Sequence, residues 1–287
     1  MPWSVIAVAL STLGSATGVP GECRVPKTSN EAKLLAFYSA PVSFSPASAP
    51  EHARPWTLRL GGEGGNVGDP DSAIQQSSVC FVRKTEHTQL SPFFARPRLT
   101  LALARGLALE ASYLPPVKFH RAEASLASAA LSWTKRLRMA PTGNSTDIMI
   151  RMHGTTGRVK GSITCPQQAL QQADPMRACY GTSPSLDTFK PRMLGLEGVI
   201  STAALDGRVA FYAGGGGNFL RPRFQVGFDN AQGFRDSTVI AVDLNRVAMF
   251  AGVSAQISSL VDLSAQAYGV REDGVTFRIG GGYRLYR

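Results

Sequence analysis

"GVTFRIGGGYRLYR", residues 274–287, holds two patterns interleaved. Every second residue gives Val275, Phe277, Ile279, Gly281, Tyr283 and Leu285. The residues between them are Thr276, Arg278, Gly280, Gly282, Arg284 and Tyr286. Successive side chains of a strand point to opposite faces, so this stretch has one apolar face and one polar face with two arginines. The fold turns on whether the apolar face meets a protein core or lipid.

The same alternation recurs upstream. "RPRLTLALA" sets Leu99, Leu101 and Leu103 against Arg98 and Thr100, and "RG" turns the chain. "LALEASYLPP" gathers Leu107, Leu109, Ala111 and Tyr113 against Glu110 and Ser112, and ends on Pro115-Pro116, which must stop regular pairing or sit at a strand edge. "AEASLASAALSWTKRL" reads as a strand despite its alanines and leucines. "DIMIRMHGTTGRVKGSIT" reads as a hairpin around Thr155-Thr156-Gly157. A further hairpin turns at Asp206-Gly207, a favoured two-residue signal. "VAMFAGVSAQI" and "LVDLSAQAYG" alternate again, the second placing Asp262, Ser264, Gln266 and Tyr268 on its polar face, before Asp273-Gly274 leads into the closing strand. Longer loops are expected at 61–76, 137–145, 164–192 and 217–236. The reading is an all-β antiparallel meander of ten or twelve strands, even numbers being usual in bacterial single-chain barrels.

Three features favour lipid over a soluble β-sandwich. The runs of about 9–12 residues match a tilted membrane span better than the strands of about 5–6 usual in soluble sheets. The opposite faces carry Arg, Glu, Asp, Gln, Ser and Thr on strand after strand. Trp56, Tyr113, Trp133, Tyr268, Tyr283 and Tyr286 lie at run ends, where interfacial girdles would place them. The chain has 287 residues, 44% hydrophobic and only 17% charged, with a mean hydropathy of −0.03. No later run reaches the roughly 18–20 apolar residues of a spanning helix, so a membrane form must be a barrel.

The net charge of +10 raises nucleic acid as a partner, but the arginines are dispersed over polar strand faces (Arg98, Arg151, Arg278, Arg284), and no nucleic-acid partner is expected. Anionic head groups or solutes suit that dispersion better.

Residues 1–18, "MPWSVIAVALSTLGSATG", read as a signal peptide, although no Lys or Arg precedes Arg24. Residues 19–52 are rich in Pro, Ser and Ala and read as an irregular N-terminal arm, with the barrel over 53–287. The cysteines are Cys23, Cys80, Cys165 and Cys179; none forms a C-x-x-C pair. An even number in an exported chain points to disulfides. Cys165 and Cys179 bracket a polar, Pro-containing loop and are expected to pair, leaving Cys23 with Cys80.

Here the chain resembles the outer-membrane β-barrel proteins of Gram-negative bacteria, in particular uncharacterised barrels with a long strand running into a Tyr-Leu-Pro-Pro segment. "ARGLALEASYLPPVKF", "GRVKGSITC", "LRPRFQVGF" and "GGGYRLYR" carry the resemblance, over about 54–287. It implies outer-membrane lipid and the barrel-assembly machinery as partners. Such proteins usually end in an aromatic residue that the machinery reads, whereas this sequence ends in Arg287 after Tyr286.

No catalytic motif stands out: there is no G-x-S-x-G, H-E-x-x-H or Walker loop, and no G-x-G-x-x-G in a dinucleotide-binding setting. Glu63, Asp69 and Asp71 lack calcium-loop spacing and read as an ordinary loop. The histidines are His52, His87, His120 and His153; His153 with Ser162 or Asp147 is the one arithmetic possibility for a base. The expectation is a non-enzymatic porin-like barrel without cofactor or metal, serving as a narrow pore, a solute or lipid conduit, or a structural protein of unspecified solute. Arg278, Arg284, Asp262 and Gln266 would face its lumen. The alternatives are an outer-membrane hydrolase acting on lipid or peptide, and a soluble secreted β-sandwich or lipocalin-like binder.

Overall fold

The computed structural model describes residues 21–75, 79–80, 91–119, 121–138 and 145–285. The expected signal peptide, His87, His120 and the last two residues lie outside them. Ten antiparallel strands form the wall: β1 (Leu58–Asn66), β2 (Phe93–Ala102), β3 (Leu107–Phe119), β4 (Ala122–Arg138), β5 (Ser145–Gly161), β6 (Met193–Ala204), β7 (Val209–Leu220), β8 (Leu244–Gln256), β9 (Val261–Val270) and β10 (Gly274–Leu285). Each pairs with the next, and β10 pairs back onto β1, from Arg278↔Gly65 to Leu285↔Leu58. The sheet is therefore a closed barrel, the form in which strands cross lipid without leaving an open edge. Among the described residues, no helix is long and apolar enough to cross a membrane.

Alternation sorts the side chains cleanly. On β10, Val275, Phe277, Ile279, Tyr283 and Leu285 point outward and are exposed, while Thr276 and Arg278 are buried inside. Leu194, Leu196 and Ile200 on β6 and Val247 and Met249 on β8 continue the outer apolar surface. An exterior of exposed Leu, Ile, Phe, Val and Met around a polar interior is a lipid-facing wall.

Several expectations need correction. Thr155-Thr156-Gly157 is no turn. β5 runs unbroken for 17 residues against an equally long β4, with Leu126↔Gly157 and Ser125↔Arg158 in register. Thr-Thr-Gly lacks the paired left-handed residues a tight hairpin needs, and the extended ladder wins. The glycine-rich stretch expected to open a loop at 61 belongs to β1: a Cβ on Gly61 would run into the Gly281 carbonyl, so the β1–β10 seam closes on glycine. Residues 217–220 likewise belong to β7, not to a loop. The Asp206-Gly207 hairpin exists, but its turn has four residues, with Leu205, Asp206 and Gly207 all at positive φ. Tyr268 belongs to no girdle; it is buried in the lumen at 1% exposure.

The short turns 103–106, 205–208 and 257–260 lie at one end of the barrel. The long connections 67–92, 162–192 and 221–243 lie at the other, and the second and third of them build a cap there. Asp187–Lys190, Arg223–Gln225 and Val239–Ala241 extend the sheet from the top of β5, and Glu22–Arg24 joins its edge in parallel with Val239–Ala241.

The arm 19–52 is not irregular throughout. Residues Asn30–Ser39 form helix α1, capped by the Ser29 hydroxyl accepting from the Ala32 amide at 3.2 Å. Ala32, Leu35, Ala36 and Ser39 bury one helical face. Ala40 still has helical φ and ψ (−61° and −48°), and the helix ends because Pro41 has no N–H with which to continue the ladder. The chain then descends through the barrel from the cap to the short-turn end, where β1 begins.

Candidate functional site

The lumen is filled by this descending segment. Proline at 41, 46 and 50 keeps it extended and removes donors, leaving a row of carbonyls that need partners. The wall supplies them. Arg278 donates to the carbonyls of Ala40 (3.0 Å) and Pro41 (3.3 Å), and Arg96 to those of Val42 (3.0 Å) and Ser43 (2.7 Å). Arg151 donates to the Phe44 carbonyl and Arg98 to that of Ser45 at 2.9 Å. Gln266 then reaches the Pro46 carbonyl at 3.1 Å, and the Ser264 hydroxyl that of Ala47. Every carbonyl from 40 to 47 is thus held by a wall side chain.

The register with β9 is regular. The Tyr268 hydroxyl donates to Ser43 Oγ (3.0 Å), Ser45 Oγ donates to Gln266 Oε1 (2.8 Å), and Ser264 meets Ala47. Each step of two residues down the segment matches two residues down the strand. Lower still, Ser254 Oγ accepts from the Ala49 amide at 2.8 Å, and the Ser201 hydroxyl donates to the Pro50 carbonyl at 3.2 Å.

The arginines are held in place by acids from other strands. Glu63 of β1 pairs with Arg96 and Arg98 of β2. Glu110 of β3 accepts from Arg98 at 2.7 Å and from Arg151 at 2.8 Å. Glu197 of β6 accepts from Arg151 at 3.1 Å and lies 3.2 Å from His153. Phe44 projects into this belt and is fully buried. The guanidinium carbons of Arg98, Arg96 and Arg151 lie 4.0, 4.9 and 5.1 Å from its ring centre. Burial of four arginines against three glutamates is tolerable because neighbouring carbonyls and an aromatic face take up the remaining charge.

Of the residues expected in the lumen, Arg278, Asp262 and Gln266 are buried in the interior. Asp262 pairs with Arg59, and Arg284 pairs with Glu51 at 2.7 Å near the short-turn end. The structure draws Cys23 to Cys80 and Cys165 to Cys179 as disulfides, with Cα separations of 6.1 and 5.4 Å. His153 meets Glu197, neither Ser162 nor Asp147; Asp147 instead accepts from Arg136 at 3.0 Å. Glu63, grouped in the sequence with Asp69 and Asp71, is buried between two arginines. Among the described residues, no group of three or more His, Cys, Asp and Glu is placed to hold a metal. Sequence reasoning missed the segment around Phe44 and the acids Glu63 and Glu197 as arginine partners. The available signal was an acid or arginine inside several of the alternating runs, such as Glu63, Glu110, Arg151, Glu197 and Arg278.

No family model and no curated relative matches the sequence. Solved structures do share the architecture at low identity. The attachment invasion locus protein Ail of Yersinia pestis is 10% identical, over 81% of this chain and 100% of that one, with a TM-score of 0.29. The KdgM porin is 8% identical over 80% and 99%, TM-score 0.30. The outer-membrane protease OmpT of Escherichia coli is 8% identical over 80% and 94%, TM-score 0.39. These likenesses concern the fold and carry no activity across. The closed wall with its lipid-facing surface gives this chain the fold of a membrane-spanning β-barrel of ten strands, the architecture of outer-membrane barrels.

Proposed function

We propose that the protein is a non-catalytic outer-membrane barrel whose lumen is closed by its own N-terminal segment, acting through its membrane-facing wall and cap rather than as an open solute pore. The observation that carries this reading is the unbroken series of wall-to-carbonyl hydrogen bonds from Ala40 to Ala47, with Phe44 at its centre. A conduit for polar solutes needs hydrated space along the axis, and here the axis is occupied by backbone with its polar groups satisfied. The catalytic alternative rests on His153. Its side chain and that of Glu197 are 0% and 1% exposed, which supports a structural pair better than a base that must meet substrate.

Planar-bilayer recordings on the intact chain test the proposal. The expected result is an electrically silent barrel that still migrates as a compact species on an unboiled gel. A steady ohmic conductance of porin size from that folded species would overturn it. Hydrolysis of lipid or peptide substrates, abolished by His153→Ala with folding retained, would replace it with the hydrolase reading.

A further inference from the structure

The wall has one incomplete seam. β2 pairs with β1 along its whole length, from Leu58↔Leu101 to Asn66↔Phe93. On its other side it pairs with β3 only from Leu99↔Ala111 to Ala102↔Ala108. Above that point, Phe93–Arg98 have no ladder partner in β3 among the described residues. Continuing the register would set Pro97 opposite Tyr113, Ala95 opposite Pro115, and Phe94 opposite Pro116. Three of those six residues lack an N–H, so the ladder cannot propagate. β3 itself stays paired to β4, with a register shift between Leu114 and Val117. The two strands therefore part toward the long-loop end.

Behind the parted seam lies an apolar cavity of about 390 Å³, within the size range of small-ligand sites. Its lining includes both faces of β2: Phe94 and Arg96, which point inward, and Phe93 and Ala95, which point outward. A lumen cavity behind a closed wall touches only inward-facing residues. This one also touches the outward-facing residues of β2 at the parted seam, where Phe93 is 58% exposed. The inner end is closed by Leu35 of α1 and by Phe189, Phe224 and Ile240 of the cap, all buried there.

We infer that this cavity is a lateral binding site for one acyl chain of a membrane lipid, entered from the bilayer between β2 and β3. Among the described residues the lining is hydrocarbon apart from a few polar side chains, and the seam it reaches is part of the lipid-facing wall. Prolines at the gap limit the backbone donors left without partners, which lipid could not satisfy. The site needs only a wall embedded in lipid, so the outcome of conductance recordings leaves it standing.

Brominated-lipid quenching provides the test. Three variants of the full chain, with its own tryptophans replaced by phenylalanine, are folded into phosphatidylcholine vesicles. Leu126→Trp reports from inside the cavity, Phe277→Trp from the lipid-facing wall and Phe250→Trp from the interior outside the cavity. Phe94→Trp is a second cavity reporter should the first fail to fold, as judged by unboiled mobility. With bromine on the lipid acyl chains, the cavity reporter should be quenched at least half as strongly as the wall reporter, and the interior reporter several-fold less. Adding Ala124→Phe to fill the cavity should lower the cavity signal at least twofold. A cavity reporter as insensitive to lipid bromine as the interior one would overturn the inference. So would quenching only by a brominated alkanoic acid added from water, since the ligand would then not be a membrane lipid.

Discussion

The guanidinium carbon of Arg98 lies 4.0 Å from the centre of the Phe44 ring, with both residues fully enclosed by the barrel. Arg98 also bonds Glu63, Glu110 and the Ser45 carbonyl. One residue of the wall thereby joins two other strands and the central segment.

Phe44→Ala should therefore destabilise the folded protein by about 3–5 kcal/mol, the range for truncating a buried aromatic residue. Phe44→Leu should cost less, because volume is largely kept and only the aromatic face is lost. Urea titration of the vesicle-folded protein, read by unboiled mobility, gives both numbers. Unchanged midpoints for Phe44→Ala would mean that the segment contributes nothing to the barrel.

Glu110→Gln removes the acid shared by Arg98 and Arg151. Breaking a buried ion pair from one side costs about 3–5 kcal/mol, since the remaining charge stays buried. Arg177→Gln offers the contrast, because Arg177 and Asp174 are 80% and 45% exposed where they meet and such a pair is worth about 1 kcal/mol or less. Equal losses for the two variants would contradict the belt as a buried network.

Much of this fold is legible in the sequence, for a physical reason. Period-two alternation fixes which residues share a face, so Ile279 and Arg278 separate on residue order alone. Nothing comparable marks the segment around Phe44. Its conformation is set by the wall's arginines, which lie more than 50 positions away (Arg96 from Ser43, Arg278 from Ala40). The Gly61–Gly65 stretch misleads for a related reason: glycine reads locally as turn, while the close seam against β10 selects it for lacking a Cβ. Pro97 and Pro115-Pro116 each signal a break on their own strand. That the breaks face one another follows only from register.

On the closing strand, Ile279→Arg should reduce folding by about 2–4 kcal/mol, the cost of a cation in the lipid-facing midplane. Gly280→Arg should act differently. A Cβ at 280 would lie 2.9 Å from Ser264 Oγ and 3.5 Å from the Ala47 carbonyl, so the side chain would press on the central segment. A membrane-impermeant thiol reagent separates the two faces directly. Labelling of a cysteine at 279 in intact vesicles, with a cysteine at 275 as the rim control, would contradict its lipid-facing position.

The Cys165–Cys179 bridge closes a loop with a sequence separation of 14, worth about 3 kcal/mol of unfolded-state restriction. Both cysteines lie in the buried cluster of the cap. Mild reduction should thus raise protease cutting within 166–178 while the compact gel species persists. Loss of that species on reduction would show that the wall itself depends on the bridge. Alkylation of both thiols without prior reduction would remove the bridge from the protein.

The central segment should also determine whether ions pass. A variant whose mature chain begins at Glu51 keeps all ten strands and loses α1 and the carbonyls held by Arg96, Arg98, Arg151 and Arg278. Those four cations, set against Glu63, Glu110 and Glu197, would then line open space. Removing about 30 residues that satisfy them should lower stability, yet the closed ladder from β1 to β10 does not depend on them. Where the compact species forms, planar bilayers should show a conductance absent from the intact chain, with preference for anions because positive charge lines the constriction. Replacing Arg278 and Arg284 with Gln in that shortened chain should shift the reversal potential toward cations. A folded, shortened barrel that remains silent would show that something other than the Ala40–Ala47 segment blocks the axis. Cation preference before the Gln substitutions would show that the glutamates, not the arginines, set the field inside.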